Sequence, residues 1–410
     1  MTMRKCTRCL TPETVDTITY DAEGVCSVCR QVEFKQEKID WADRQRQLDE
    51  IVAAHKNKGL YDCIVPYSGG KDSVFQLYYI IKVLKLKPLV IRYNHWGYRP
   101  KIEDLNTSVF KQLGCDVVEF TPNFHVVREL MLESFKRRGD FCWHCHTGIY
   151  SGVMHMAVRF EVPLLFWGES TAEYHSWYTF EEMEEVDEKR FNRLMNQGMT
   201  ADDMYEFLQG RVERRDLWMF DYPKRKDLIK LKVQSICLGN YIEWDTKANV
   251  ALIEKELGWK GQPVEGVPPE YDYEKVECTF QGMRDWSKFV KRGYGRSNHL
   301  LSIDIRNGRK TREEALEIEA EYDGKRPASM DWFLDMLQMT EDEYYGYLEA
   351  HQVDPWKFDK SNFETGPIMP DFDKWDRTDL HHIPVGPPKT THSLDISHRK
   401  NSGPGKQTTP

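Results

Sequence analysis

The most constraining feature of this 410-residue chain is one short passage. An apolar run, Tyr61-Asp62-Cys63-Ile64-Val65-Pro66, leads into Ser68-Gly69-Gly70-Lys71-Asp72-Ser73, and Ser73 to Leu84 follows with apolar residues at helical spacing (Val74, Leu77, Ile80, Ile81, Leu84). A strand, a glycine turn and a helix in that order make a phosphate cradle. The glycines let backbone approach an anion, the helix start offers unpaired N–H groups, and Lys71 adds charge. It is not a Walker A loop, because Val65 and Asp72 stand where that pattern needs a Gly and a Ser or Thr.

The surrounding pattern repeats the theme. Pro88–Tyr93, Cys115–Phe120 and Pro163–Trp167 read as strands. Ile102–Leu113, Phe124–Arg138 and His146–Phe160 read as helices between them. Alternation at these lengths predicts a doubly wound parallel α/β sheet, with ligands at the carboxyl ends of its strands. Gly168-Glu169-Ser170 falls at such an end, and a carboxylate there suits Mg²⁺ binding or orientation of a nucleophile. The expected organisation is a cysteine module at 1–34, a linking helix at 35–58 and the sheet domain at 59–230, with a polar insertion at 171–230. A mainly helical region at 231–350 and an extended, largely disordered tail at 351–410 complete it. Thr311 with Glu314, and Thr340 with Glu343, match capping boxes in the helical region.

Six of the ten cysteines form C-x-x-C pairs. Cys6, Cys9, Cys26 and Cys29 have the spacing of a four-thiolate zinc site, which would replace the core that residues 1–34 lack. Cys142-Trp143-His144-Cys145-His146 is read as half of a metal or iron–sulfur site, a redox pair or a substrate-contact loop. Two thiols do not close a tetrahedral site, and His144, His146 or Cys237 are candidates to add to them. Lys288, Lys291, Arg292, Arg296 and Arg306 cluster around Gly293-Tyr294-Gly295, a segment suited to closing over phosphates; a solvated helix face is the bland alternative. A net charge of −9 counts against a broad nucleic-acid surface, and no apolar run approaches the roughly 18 residues of a membrane span. With no signal-peptide core in residues 1–8, a cytoplasmic location is expected.

The loop resembles the S-G-G-x-D-S loop of the PP-loop ATP pyrophosphatases. That resemblance implies that Ser68, Gly69, Gly70 and Ser73 hold pyrophosphate, and that Asp72 binds ATP or its Mg²⁺. Tyr93, Asn94 and His95 are then adenine neighbours. The ordered set is more specific. It comprises the N-terminal cysteine pairs with Ile39-Asp40-Trp41, the loop, Cys142–His146 with Gly148-Ile149, and Trp167-Gly168-Glu169 with Glu173-Tyr174. It continues with Gly293–Arg296, Asp304–Arg306 and Thr311–Ala315. Across about residues 3–320 this set resembles the N-acetyl sugar amidotransferases of surface-polysaccharide and nonulosonic-acid pathways. The resemblance implies an ATP-, Mg²⁺- and Zn²⁺-using enzyme in which Lys71, Asp72 and Glu169 are catalytic. Its substrate contacts would be Cys142, His144, Cys145, His146, Glu173, Tyr174, Arg292, Arg296 and Arg306. An acetamido group on a nucleotide-linked sugar would become an acetamidino group, with ammonia from a separate glutaminase subunit working beside a cyclase-like subunit. A tRNA-thiolating PP-loop enzyme is the rival reading, and a zinc-ribbon adaptor with an inactive ATP fold the non-enzymatic one.

Overall fold

In the computed structural model, residues 3–174, 177–183 and 187–366 are described, and they pack within one unit. Five strands form one wholly parallel sheet: β1 (Cys63–Pro66), β2 (Pro88–Tyr93), β3 (Asp116–Phe120), β4 (Leu164–Trp167) and β5 (Gln234–Cys237). Their order is β3-β2-β1-β4-β5. The chain therefore winds outward from β1 through β2 and β3, then returns to the other side of β1 for β4 and β5. That reversal opens a crevice at the carboxyl ends of β1 and β4, the place where doubly wound sheets bind ligands.

Strand alternation covers both faces. Cys63 and Val65 of β1 join a cluster with α3 (Lys71–Tyr78), α4 (Pro100–Leu113) and α10 (Thr246–Leu257), whereas Ile64 faces Val153, Met154 and Ala157 of α6 (Trp143–Phe160). Between these lie α5 (Phe124–Arg138), α7 (Glu188–Arg190), α8 (Ala201–Leu208) and α9 (Arg225–Leu231). The sheet reaches past residue 230, where the sequence pattern placed its end: β5 is only four residues long, too short to stand out from its helical surroundings.

Two helices precede the sheet, α1 (Ser27–Lys38) and α2 (Trp41–His55), where one linking helix over 35–58 was expected. The break is chemical. Asp40 leaves the helical conformation and its carboxylate accepts from the N–H groups of Ala42 and Asp43, capping α2. The carboxyl-terminal region is helical as expected: α11 (Gln281–Arg292), α12 (Arg296–Arg306), α13 (Arg312–Tyr322), α14 (Met330–Leu337) and α15 (Glu341–Glu349). Both capping boxes form, Thr311 with Glu314 and Thr340 with Glu343.

Of the segment read as an extended tail, residues 351–366 pack on the helices. Trp356 stacks edge-on to Phe289, Phe358 and Phe363 meet Trp286, and Glu364–Thr365 (β7) pairs with Lys325–Arg326 (β6). The rest of that reading, 367–410, lies outside the described residues. No helix among those described is long and apolar enough to cross a membrane.

Candidate active site and metal centre

The loop after β1 is held by its own hydroxyls. Ser73 Oγ accepts from the N–H groups of Ser68 (3.2 Å) and Gly69 (3.1 Å) and donates to the Gly70 carbonyl (3.0 Å). Gly69 sits at φ +90°, in the left-handed region that favours glycine, with the Asn106 carboxamide where a side chain would stand. Gly70 caps α3, and a Cβ there would lie 2.7 Å from Glu277 Oε2. No side chain caps α3, so its first-turn N–H groups remain for a ligand. Gly70→Ala is accordingly expected to displace the loop and weaken ATP binding at least tenfold with the thermal melt little changed; unaltered affinity in a nucleotide titration would remove Gly70 from the cradle.

Lys71, Asp72 and Glu169 line one cavity of about 530 Å³, at the crevice between β1 and β4. Lys71 Nζ is 2.7 Å from both Asp72 Oδ2 and Glu274 Oε2, and these carboxylates hold its pKa well up against the cost of burial. Burial and the charge of Glu169 push the Asp72 carboxyl up to about 6, with Lys71 and Lys275 opposing. Carboxylates crowded this way suit a divalent cation. Tyr174 O–H donates to Glu169 Oε1 at 3.3 Å. Glu173 also lines the cavity, but it is ion-paired with Lys35 of α1, and burial raises its pKa.

The opposite wall comes from α11 and α12. Arg296 reaches Asp285 at 3.1 Å and Glu274 at 3.4 Å, linking the helical region to Lys71 through Glu274. Arg292 donates to the Thr14 carbonyl and pairs with Asp16 at 2.8 Å, tying the cysteine module to the cavity rim. Arg306, grouped with them in sequence, is not in the cavity. Its guanidinium lies 3.5 Å from Cys9 Sγ, because the turns of α12 carry residues 296 and 306 to different neighbours.

The Cys142–His146 segment is the start of α6, with Cys142 in the cap position, where the sequence placed a loop between helices. Only His146 of its candidate residues lines the cavity. His144 is buried with Nδ1 on the Phe141 carbonyl, 3.2 Å away, and burial depresses both histidines to about 3. Burial raises the Cys142 and Cys145 thiols, and the charge reaching both from a third cysteine is that of Cys278. Cys237 lies instead on β5, accepting from Arg190 at 3.8 Å. Tyr93 and Asn94 do not line the cavity: Tyr93 packs in the core, with its ring where a Cβ on Gly148 would fall, and Asn94 Oδ1 accepts from the Trp96 N–H at 2.9 Å. Sequence reasoning missed Glu274, Lys275, Asp140 and Arg284 in the cavity wall, because no motif surrounds them.

The candidate metal centre is a separate site. Cys6 and Cys29 Sγ are 4.0 Å apart, Cys9 and Cys26 3.7 Å, and all four lie within 4.8 Å of one another. A tetrahedron with metal–sulfur bonds of about 2.3 Å has edges of about 3.8 Å, so the four sulfurs fit one tetrahedral ion. N–H groups point at the sulfurs, from Arg8 to Cys6 (3.4 Å), Thr11 to Cys9 (3.5 Å) and Cys26 to Cys6 (3.2 Å). The module docks on the helical region through Lys5 with Glu319 (2.6 Å), Leu10 N–H with Ser302 (3.2 Å) and Asn298 with the Leu10 carbonyl (3.0 Å). Among the described residues, this is the one such ligand group.

Comparison with known proteins places the helical wall. Residues 270–369 match the family model of the LPS biosynthesis protein WbpG-like, C-terminal domain. A protein of Methanocaldococcus jannaschii, MJ1599, described as uncharacterized, is 26% identical over 175 residues, which span 42% of this chain and 61% of that protein. Two solved structures are similar at low scores. The U34-tRNA thiolase NcsA from Methanococcus maripaludis, with its [4Fe-4S] cluster, has a TM-score of 0.31 at 15% identity, covering 77% of this chain and 89% of its own. The NMN synthetase from Francisella tularensis has a TM-score of 0.33 at 9% identity, covering 66% and 94%. The matched residues 270–369 thus include α11 and α12, which face the carboxyl end of the parallel sheet across one cavity.

Proposed function

We propose that this chain is an ATP-dependent amidotransferase acting on an N-acetylated, nucleotide-linked sugar of surface-polysaccharide biosynthesis. In this reading the loop residues Ser68, Gly69, Gly70 and Ser73 take the pyrophosphate portion of ATP, and Lys71 neutralises charge beside it. Asp72 and Glu169 are the residues suited to Mg²⁺, which when bound supplies further charge neutralisation. The acetamido oxygen attacks the α-phosphorus, the bond from that phosphorus to the bridging oxygen breaks, and pyrophosphate leaves. Ammonia then adds to the activated carbon and loses a proton. The C–O bond breaks, AMP leaves, and the acetamidino group remains. Preorganised cations around the cavity favour the charge that develops on both leaving groups.

The observation that carries the reading is the shared cavity: Lys71 and Asp72 of the loop with Glu169 on one side, and α11 and α12 of the matched domain on the other, while Ser68, Gly69, Gly70 and Ser73 do not themselves line it. Zn²⁺ at Cys6, Cys9, Cys26 and Cys29 is structural in this proposal. Ammonia comes from a separate glutaminase subunit with a cyclase-like subunit. Pyrophosphate release is the test, measured with ATP, Mg²⁺, ammonium and a panel of nucleotide-linked acetamido sugars. At least one sugar is expected to give stoichiometric pyrophosphate and a product about one mass unit lighter. Pyrophosphate release with none would leave the adaptor reading standing.

One observation bears on a second reading, that of a tRNA-thiolating enzyme: the charges of Cys145 and Cys278 both act on the Cys142 thiol, although among the described residues the three do not gather closely enough to form a metal-ligand group. Salt-sensitive tRNA binding together with iron retained by a Cys6/Cys9 double variant would move the conclusion there.

A further inference from the structure

The charges of the cavity are divided between its two sides. Asp72, Glu169 and Glu274 gather at the loop, whereas α11 presents Arg284, Lys288, Lys291 and Arg292, at i, i+4, i+7 and i+8 and hence on one helical face. Arg292 is neutralised by Asp16, and Arg296 of α12 by Asp285 and Glu274.

Arg284 and Lys288 are not matched in this way. The Arg284 side chain lines the cavity, and its guanidinium makes no ion pair or hydrogen bond to any described residue. Lys288 Nζ is 3.7 Å from Asp285 Oδ1, but that carboxylate already accepts from Arg296 and, at 2.7 Å, from Gln281. Its ammonium also lies 4.8 Å from the centre of the Tyr294 ring. Burial lowers the Lys288 pKa to about 8; Asp285 opposes this, and the charges of Arg296 and Arg284 add to it. On this wall Asp140 and Asp285 answer Arg284, Lys288 and Lys291, with smaller contributions from Asp323 on Lys288 and Asp16 on Lys291, and Asp285 is already committed to Arg296. The Asp140 carboxyl accordingly lies at about 2, where Arg284, Lys291 and His146 outweigh the cost of burial. Half-buried cations short of counter-charge are costly unless a ligand supplies it.

We propose that Arg284 and Lys288 form a second anion subsite, apart from the phosphate loop, that takes a phosphate or carboxylate carried by the acceptor sugar. The identity of the acceptor rests on the amidotransferase reading; the subsite itself does not. In that reading ATP takes the loop, where α3 starts and Asp72 with Glu169 suits a cation. The ion pairs of Glu274, Arg296 and Asp285 lie between that end and Arg284. The subsite makes the cavity selective, because a neutral acetamido sugar leaves both cations uncompensated.

The test uses the full chain with its metal, titrated calorimetrically with four probes: α,β-methylene-ATP with Mg²⁺, N-acetylglucosamine, N-acetylglucosamine 1-phosphate and N-acetylmuramic acid. At least one anionic sugar is expected to bind ten times or more tighter than the neutral one; the phosphate and carboxylate arms identify which anion is taken. R284Q and K288Q are each expected to weaken that probe about 10- to 100-fold, the range for losing a charge-assisted hydrogen bond. Affinity for the ATP analogue should stay within twofold, which also reports the fold. R284K, which keeps the charge, should recover part of the loss. Equal binding of neutral and anionic sugars, or wild-type affinity in folded R284Q and K288Q, overturns the subsite. If R284Q misfolds, K288Q and R284K decide. Loss of ATP-analogue binding in the wild type, with anion selectivity intact, overturns the ATP reading and leaves the subsite standing.

Discussion

Asp72→Asn is expected to lower pyrophosphate release by at least a thousandfold, on the order of one lost catalytic charge site, while leaving the chain at least as stable. The two effects have one origin. Asp72 is held beside Glu169 in a cavity wall, and burial with that neighbouring charge raises its carboxyl to about 6. A carboxyl raised in the folded state contributes its full stability below its unfolded pKa of 3.8 and loses it as pH rises through about 6. At pH 8 the ionised group therefore costs the cation-free fold up to about 3 kcal/mol, by roughly 1.4 kcal/mol per pH unit. The side chain keeps 19% exposure, which makes this an upper bound. Asparagine removes the cost and keeps the shape, and Lys71 retains Glu274 at 2.7 Å. In the wild type, kcat/KM should fall on the acid side with an apparent pKa near 6, reporting the free enzyme. Melting curves and pyrophosphate assays across pH 5–9 check the set. A fall in melting temperature with activity retained would reverse the role given to Asp72.

Cys9→Ser is expected to produce the second large effect, loss of the bound metal and of order in the amino-terminal module. Cys9 supplies one corner of the tetrahedron, and its sulfur also receives the N–H of Thr11 and the guanidinium of Arg306. Removing one thiolate from a closed four-sulfur site forfeits much of a metal-binding free energy of about 10–16 kcal/mol, the range for structural zinc in small peptides at neutral pH. Not all of that reaches the whole chain, because Lys5–Glu319, Leu10–Ser302 and Arg292–Asp16 still hold the module to the helices. Elemental analysis should show one fewer metal ion per chain, and limited proteolysis should cut within residues 3–30 well before the sheet domain melts. Unchanged metal content would place the ion elsewhere.

The loss should also reach the cavity. Asp16 and Thr14 hold Arg292 at its rim, and Glu173 is paired with Lys35 of α1, the helix that carries Cys29. A rise in KM for the acceptor in Cys9→Ser, larger than any change in ATP affinity, is the expected sign.

Residues with local jobs were legible from local pattern. Ser68–Ser73 announces itself because a cradle needs glycine at a left-handed φ and hydroxyls within five residues of one another. Cys6, Cys9, Cys26 and Cys29 do so because a knuckle fixes ligand spacing along the chain. The strand–helix alternation fixed the parallel sheet for the same reason, since each period is a property of adjacent residues. Arg306 shows where that logic stops. Its place in a run of cations looked like the cavity, yet a helix sends residues ten apart to different partners, and it serves Cys9.

Tertiary structure alone decided which distant groups meet. Glu274 reaches Lys71 across more than two hundred residues, the charge of Cys278 acts on Cys145, and Arg284 lines the same cavity with no ion pair to a described residue. None of these pairings has a sequence period, because they follow from how α11 and α12 pack over the crevice between β1 and β4. The sequence determined a glycine turn between strand and helix, shaped as an anion cradle, and four cysteines spaced to hold one ion. The packing of the WbpG-like domain decided what the loop looks out on: a wall charged oppositely to its own rim.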